Sequence, residues 1–157
     1  MARGIKLDKI DKKILSILQR QGRITNAQLA IDVGLSPAPT LERVKKLETM
    51  GVIESYNAHL NQAAIGLGVT TFVRVTLKNH NKNAIARFTK EIQKVEEVVE
   101  CYHITGVSDF ILKVVAKDIP AYQELMLEYI TEIMDIDEIV SMVVMSTIKD
   151  AKAVPVP

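Results

Sequence analysis

The chain lacks most of what enzymatic, secreted or membrane proteins require. It holds a single cysteine among 157 residues, so no internal disulfide can form. That residue, Cys101, falls within an apolar strand pattern, which predicts a reduced, buried thiol. No stretch approaches the ~20 apolar residues that span a bilayer, and the N-terminus has no apolar secretion core. A cytoplasmic location without a membrane partner is therefore expected. The three histidines, His59, His80 and His103, fall in unrelated elements. Metal-ligand spacing, a phosphate-binding glycine loop and a nucleophile motif are all missing. These absences argue against catalysis, and no metal, cofactor or catalytic residue is expected.

What is present is a soluble composition, 48% hydrophobic and 25% charged, sufficient for one core or two small ones. The net charge of +1 conceals an uneven distribution. Residues 1–60 carry ten Lys and Arg against six acids, a balance of +4, whereas the remainder carries ten against thirteen, or −3. The first part can face phosphate and the second is poorly suited to it.

Residues 24–48, ITNAQLAIDVGLSPAPTLERVKKLE, contain two capped helical patterns in close succession. Thr25 is the N-cap of the first, with Gln28 three positions on as a capping box and Ile24 and Leu29 at the staple positions. Gly34 stops it, because glycine takes a left-handed conformation without a Cβ clash. Ser36 caps the next helix and Pro37 occupies its first position. At 100° per residue, Leu41, Val44 and Leu47 share a packing face, and Pro39, Glu42, Arg43 and Lys46 an exposed one. An earlier helix follows Asp8, with Ile10, Ile14, Ile17 and Leu18 at helical spacing and Gly22 closing it. Three such helices form the core of a helix-turn-helix that presents its last helix to DNA. After Gly51, the alternation in VIESYNAHL predicts a short strand or small wing. The alternative is a purely structural three-helix module, which the sharp turn between Gly34 and Ser36 disfavours.

Gly66 and Gly68 mark a boundary, giving a DNA-binding domain over 1–60, a linker over 61–68, a second domain over 69–150 and a tail over 151–157. In the second domain, Val69–Leu77 alternates as a strand. Ile85, Phe88, Ile92 and Val95 mark a helix. VVECYHIT and DFILKVVA form a hairpin joined at Gly106-Val107-Ser108. Pro120 starts another helix, with Tyr122, Leu125, Met126, Tyr129, Ile130 and Ile133 on one side, and IDEIVSMVVMSTI supplies the last strand. The order β-α-β-β-α-β predicts a ferredoxin-like α+β domain, with both helices on one face of an antiparallel sheet. The strands are apolar on both sides, so the uncovered face should pack on a second copy, giving at least a homodimer.

On LDKIDKKIL, GRITNAQLA, VGLSPAPTLERVKKLE followed by GVI, and EEVVECYHITGVSDFILKV, the chain resembles the leucine-responsive and asparagine-regulator family, Lrp/AsnC. The likeness runs from about Leu7 to Lys149. It implies a transcription regulator with an N-terminal helix-turn-helix and a C-terminal effector domain, whose dimers assemble into tetramers, octamers or larger rings. Double-stranded DNA, a small effector and further copies of the chain are the implied partners.

For DNA, Ser36, Pro37 and Ala38 at the helix start suit a phosphate, while Thr40, Arg43 and Lys46 can reach base edges or backbone. Arg23, Thr25 and Asn26 are candidates for backbone contacts. Arg43 has an alternative role, pairing with a glutamate on its own helix. The resemblance places an amino acid between dimers, in a cleft bounded by ITGVSDF and SMVVMS. There Gly106 allows close backbone approach, and Asp109 is either the partner of an α-ammonium or a turn residue capping the hairpin. His103, Ser108, Ser141, Met142 and Val144 are the remaining lining candidates. Val107 and Ser108 stand where relatives usually carry an acidic or polar residue.

Effector binding at a joint between dimers would favour one assembly over another and so set the spacing of the DNA-reading helices. Two rival functions are a DNA-packaging protein with little sequence preference and an enzyme like the sirohaem decarboxylases, which share the two-domain plan. The latter needs His and Arg converging on carboxylates, and the second domain offers only Arg74 and Arg87 as arginines.

Overall fold

Asp8 starts the first helix by closing its end on itself. Its carboxylate accepts from the Ile10 and Asp11 N–H groups, each at 2.8 Å, while the Asp11 carboxylate accepts from the Asp8 N–H at 3.2 Å. This reciprocal box satisfies donors that the first helical turn otherwise leaves free. It starts helix α1, Lys9–Leu18. The computed structural model describes residues 5–151 and 153–157, so Arg3, counted above among the basic residues, lies outside it. Helix α2, Asn26–Val33, is capped by the Thr25 side chain on the Gln28 N–H. The second half of the expected box is not made, because the Gln28 side chain turns to Asp32 at 2.8 Å. Gly34 ends α2 at φ 81°, and the Leu35 N–H returns to the Ala30 carbonyl, a Schellman closure.

Helix α3, Pro37–Thr49, follows at once. Its inward stripe is Thr40, Val44 and Leu47, at spacings of four and three, which a 3.6-residue period keeps in line. Leu41, expected on that stripe, is 42% exposed. Thr40 takes its place because its hydroxyl donates to the Ser36 carbonyl at 2.9 Å, which leaves only the methyl to meet the core. Ile14, Leu15, Leu29, Val33 and Leu47 form the centre of this unit, and Val52 and Ile53 pack against it. The strand expected over 52–60 is absent. Among the described residues of this unit there is no strand to pair with it, and an unpaired extended run forms no ladder. The tail over 151–157, whose valines and prolines suit an extended edge contact, groups with this unit, which comprises the chain up to His59 and Lys149–Pro157.

The second unit, Leu60–Ile148, has strands β1 (Val69–Leu77), β2 (Val98–His103), β3 (Phe110–Ala116) and β4 (Ile136–Val143), with helices α4 (Lys82–Ile92) and α5 (Ile119–Leu125). The sheet order is β2-β3-β1-β4 and every pairing is antiparallel, as the element order predicts for a ferredoxin-like sheet. Asn81 caps α4 and Asp118 caps α5 through their carboxyl or amide oxygens. One face of the sheet, with Val73, Val75, Leu77, Phe110, Leu112 and Val114, packs on Phe88, Ile92, Leu125 and Ile130. Phe88 and Phe110 lie 4.4 Å apart between ring centres.

Three details differ from expectation. A π-helical turn, Met126–Ile130, follows α5, and the Thr131 N–H bonds the Met126 carbonyl five residues back. The extra residue rotates the chain, so Ile130 and Ile133 reach the core while Tyr129, expected beside them, is 56% exposed. Cys101 sits on the edge strand β2 and is exposed, not buried; desolvation of the partly sunken sulfur still raises its pKa. The uncovered sheet face is also less apolar than expected. Beside Phe72, Met142 and Tyr102 it carries Arg74, and a Lys113–Glu100 ion pair at 2.9 Å.

The reassigned stripe on α3 makes a direct test. Leu47→Ala should cost about 2–5 kcal/mol in urea unfolding, and Leu41→Ala should change stability by well under half as much. Equal losses would restore Leu41 to the packing face.

Candidate functional site

The outward side of α3 follows from its inward one. Opposite Thr40, Val44 and Leu47 lie Ala38, Glu42, Lys45, Lys46 and Thr49, all exposed. Lys45 was missed by the sequence reading because the packing stripe was set one residue off; the correct phase of the helix would have found it. At the helix start, Ser36 is the N-cap but its hydroxyl makes no capping bond, so it is available to a ligand. Pro37 and Pro39 carry no N–H, and within the first turn this leaves the Ala38 N–H beside that hydroxyl. The anion-binding capacity is thus narrower than a generic helix start suggests.

Three predicted DNA contacts have other duties. Thr40 is buried under the helix. The Asn26 side chain donates to the Pro37 carbonyl at 2.8 Å, tying α2 to the first turn of α3. Arg43 does not pair with a glutamate on its own helix; one guanidinium nitrogen, Nη1, reaches Asp8 at 2.6 Å and Asp11 at 2.7 Å, both at the start of α1. Its side chain is 32% exposed, so it stands at the rim of the reading face. Arg23 and Thr25 are exposed at the start of α2, with the Thr25 hydroxyl engaged by Gln28. The Asp8 carboxyl is held below its ordinary 3.8 by the Asp11 N–H first and by Arg43 second. The same pairing raises the Arg43 pKa.

In the second unit, β2 and β3 are joined across Gly106, whose φ of 126° suits glycine. The Ile104 N–H closes the turn on the Asp109 carbonyl at 2.8 Å. Asp109 has partners on both oxygens. Its Oδ2 accepts from the Leu77 N–H and its Oδ1 pairs with His80 Nδ1, both at 2.8 Å. Burial alone would raise the Asp109 pKa, but the Leu77 N–H, His80 and the more distant His103 outweigh it and hold the carboxyl below its ordinary value. Ser108 is buried, and the His103 ring stacks on Phe110 at 4.8 Å.

Ser141 and Met142 point to opposite sides of β4. Ser141 bonds the Tyr122 hydroxyl under the helices, and Met142 stands on the uncovered face opposite Phe72. Val144 follows β4, with its N–H on the Thr70 carbonyl. The seven effector candidates therefore do not close into one pocket within a single copy.

Two family models match the chain: a winged helix-turn-helix DNA-binding model over residues 7–54 and an Lrp/AsnC ligand binding domain model over residues 70–154. The leucine-responsive regulatory proteins of Klebsiella pneumoniae and of Escherichia coli K12 are 38% identical over 148 residues, covering 94% of this chain and 90% of theirs. A transcriptional regulator from Neisseria meningitidis, solved as a complex with L-methionine, is similar with a TM-score of 0.92 and 35% identity, covering 96% of this chain and 97% of that one. The structure of Escherichia coli AsnC gives 0.86 and 26%, covering 95% and 100%.

The Arg43 clamp has a titration signature. A carboxyl with a depressed pKa adds stability above its unfolded value, and that contribution is lost as pH falls through the folded value. In Arg43→Ala, Asp8 should titrate closer to 3.8 by carboxyl NMR without reaching it, since the Asp11 N–H remains. An unmoved Asp8 would show that the guanidinium contributes nothing there.

Proposed function

The chain belongs to the Lrp/AsnC family of DNA-binding transcription regulators, and on that premise we propose that it reads specific operator DNA and that an amino acid modulates this through the oligomeric assembly. It is not an enzyme. Among the described residues no helix is long and apolar enough to cross a membrane, and the proposed place of action is the cytoplasm. We assign DNA binding to residues 1–60, assembly and effector binding to 69–150, and the connection to 61–68.

The observation that carries the reading is the stripe on α3: a helix locked from behind by its own Arg43 on Asp8 and Asp11 at the start of α1, and by Asn26 of α2, with Lys45 and Lys46 turned outward. Ser36, Pro37 and Ala38 approach phosphate, Lys45 and Lys46 reach backbone or base edges, and Arg23 and Thr25 meet the flanking backbone. Arg43, Asn26 and Thr40 act as positioning residues. Rigid presentation matters because base readout depends on side chains arriving in fixed register.

Assembly rests on the uncovered sheet face. Phe72, Tyr102, Ile111, Val140 and Met142 lie on it, and apolar area left in water forgoes about 25 cal/mol per Å². A second copy covering this face would shield them, and Arg74 among them would need a polar partner across the joint. The effector is proposed to be an amino acid on the strength of relatives, two of which were solved with L-methionine. Its site is assigned to the Gly106 turn, Met142 and Val144, completed by another copy, whereas His103, stacked on Phe110, lies on the covered side of the sheet.

DNA reading is tested by the salt dependence of binding. Lys45→Ala and Lys46→Ala should each weaken binding and each flatten the slope of log affinity on log salt by about one. Protection of random DNA equal to that of promoter DNA in footprinting would instead mark a packaging protein.

Assembly and effector are tested together by sedimentation. The wild type should run as a dimer or larger, Phe72→Glu as a monomer, and an amino acid from a standard panel should shift the wild-type distribution. A wild-type monomer, or no response to any amino acid, would defeat the assembly-linked reading.

A further inference from the structure

The chain leaves the first unit at His59 and returns to it at Lys149, and the returning segment has a dedicated seat there. Gln19, the C-cap of α1, donates its Nε2 to the Val154 carbonyl at 3.1 Å and accepts from the Val154 N–H on its Oε1 at 2.7 Å. A carboxamide that engages both main-chain groups of one residue acts as a neighbouring strand would, recognising an extended backbone. The Val154 side chain points to solvent, so the backbone is what Gln19 reads. Two residues on, Val156 is half-buried and packs against the core of the first unit. Together with Leu7, Leu15, Leu18, Val52, Ile53 and Tyr56, and with the polar Glu54 and Ser55, it lines a cleft on this unit. Pro155 and Pro157 flank it and restrict the segment before it docks, which lowers the entropy lost on docking. Asp150 lies 3.7 Å from His59, an exposed pairing of little weight.

We propose that Ala153–Pro157 is a built-in peptide ligand of the DNA-binding unit, and that its docking raises DNA affinity. The segment holds α1 from one end, and α1 holds Arg43 of α3 from the other, through Asp8 and Asp11. Segment and seat are matched in chemistry: the Val-Pro-Val-Pro run offers one main-chain N–H and one carbonyl to a single carboxamide, and one aliphatic side chain, Val156, to the apolar core cluster. The affinity part of the proposal rests on the DNA-binding reading above.

The test uses the full chain, with Gln19→Ala and Val156→Asp set against Val154→Thr. Hydrogen exchange of the α1 amides reports docking, and fluorescence anisotropy with wild-type target DNA reports affinity. Gln19→Ala and Val156→Asp should speed exchange along α1 and weaken DNA binding at least about fivefold, while Val154→Thr leaves both unchanged. Gln19→Ala keeps the test sound if Val156→Asp fails to fold. Unaltered exchange in Gln19→Ala overturns the docking. Faster exchange with unchanged or tighter DNA binding reduces the segment to a structural brace and overturns the affinity claim. Failure of the wild type itself to bind DNA defeats the DNA-binding reading and the affinity claim with it, while the exchange data still decide the docking.

Discussion

A single guanidinium determines how the reading helix is held. Arg43 belongs to α3, yet its charge is neutralised on α1, by two carboxylates that are themselves committed to closing the end of that helix. One cluster thus performs two tasks: it terminates α1 and orients α3. Exposed ion pairs add little free energy, so the value of this arrangement is geometric. Two acceptors at a helix start, where the helix dipole favours negative charge, define a direction for the arginine. Asn26 supplies the second constraint by gripping the Pro37 carbonyl. Between them they leave Lys45 and Lys46 as the cations that face outward from α3 without a role in holding it.

The second unit obeys a different constraint, that of handedness. Crossovers between strands of one sheet are right-handed. The β1-α4-β2 and β3-α5-β4 connections run in opposite directions across the sheet and along oppositely directed strands, so both helices arrive on the same face. The other face is left to whatever the chain meets next. Its composition, aromatic and aliphatic side chains around Arg74 with an ion pair at one edge, suits a partner surface better than either bare water or a closed core.

Much of this architecture was legible in the residues. The helix starts at Asp8, Thr25 and Ser36, the stop at Gly34, and the β-α-β-β-α-β order all rest on local chemistry that acts within a few positions. What could not be read was set by tertiary contact. Leu41 looked like core because it is apolar, whereas Thr40 is the buried residue because its hydroxyl finds the Ser36 carbonyl. Tyr129 was displaced by one inserted residue in a π turn that no spacing announces. The pairing of Arg43 with Asp8 and Asp11 left no local signal because those acids are more than thirty positions away in sequence. The run over 52–60 alternates as a strand does, but among the described residues of its unit there is no strand to pair with it.

The effector candidates show why a cleft of this kind resists reading from one strand. Alternation places Ser141 and Met142 on opposite sides of β4, so a ligand that touches Met142 on the uncovered face cannot also touch Ser141, which is engaged by Tyr122 beneath the helices. Asp109 is occupied as well, its two oxygens holding the end of β1 and the His80 loop in place. An ammonium would have to share it with both of these partners, each oxygen having one acceptor site already engaged. Under the proposed reading, therefore, Asp109 shapes the turn that carries Gly106, and the turn's backbone meets the ligand. The groups that neutralise an amino acid's two charges must then come largely from the backbone and from a second copy. A site incomplete in one copy and completed by another is also one whose occupancy necessarily favours association, which is the coupling that an assembly-linked regulator requires.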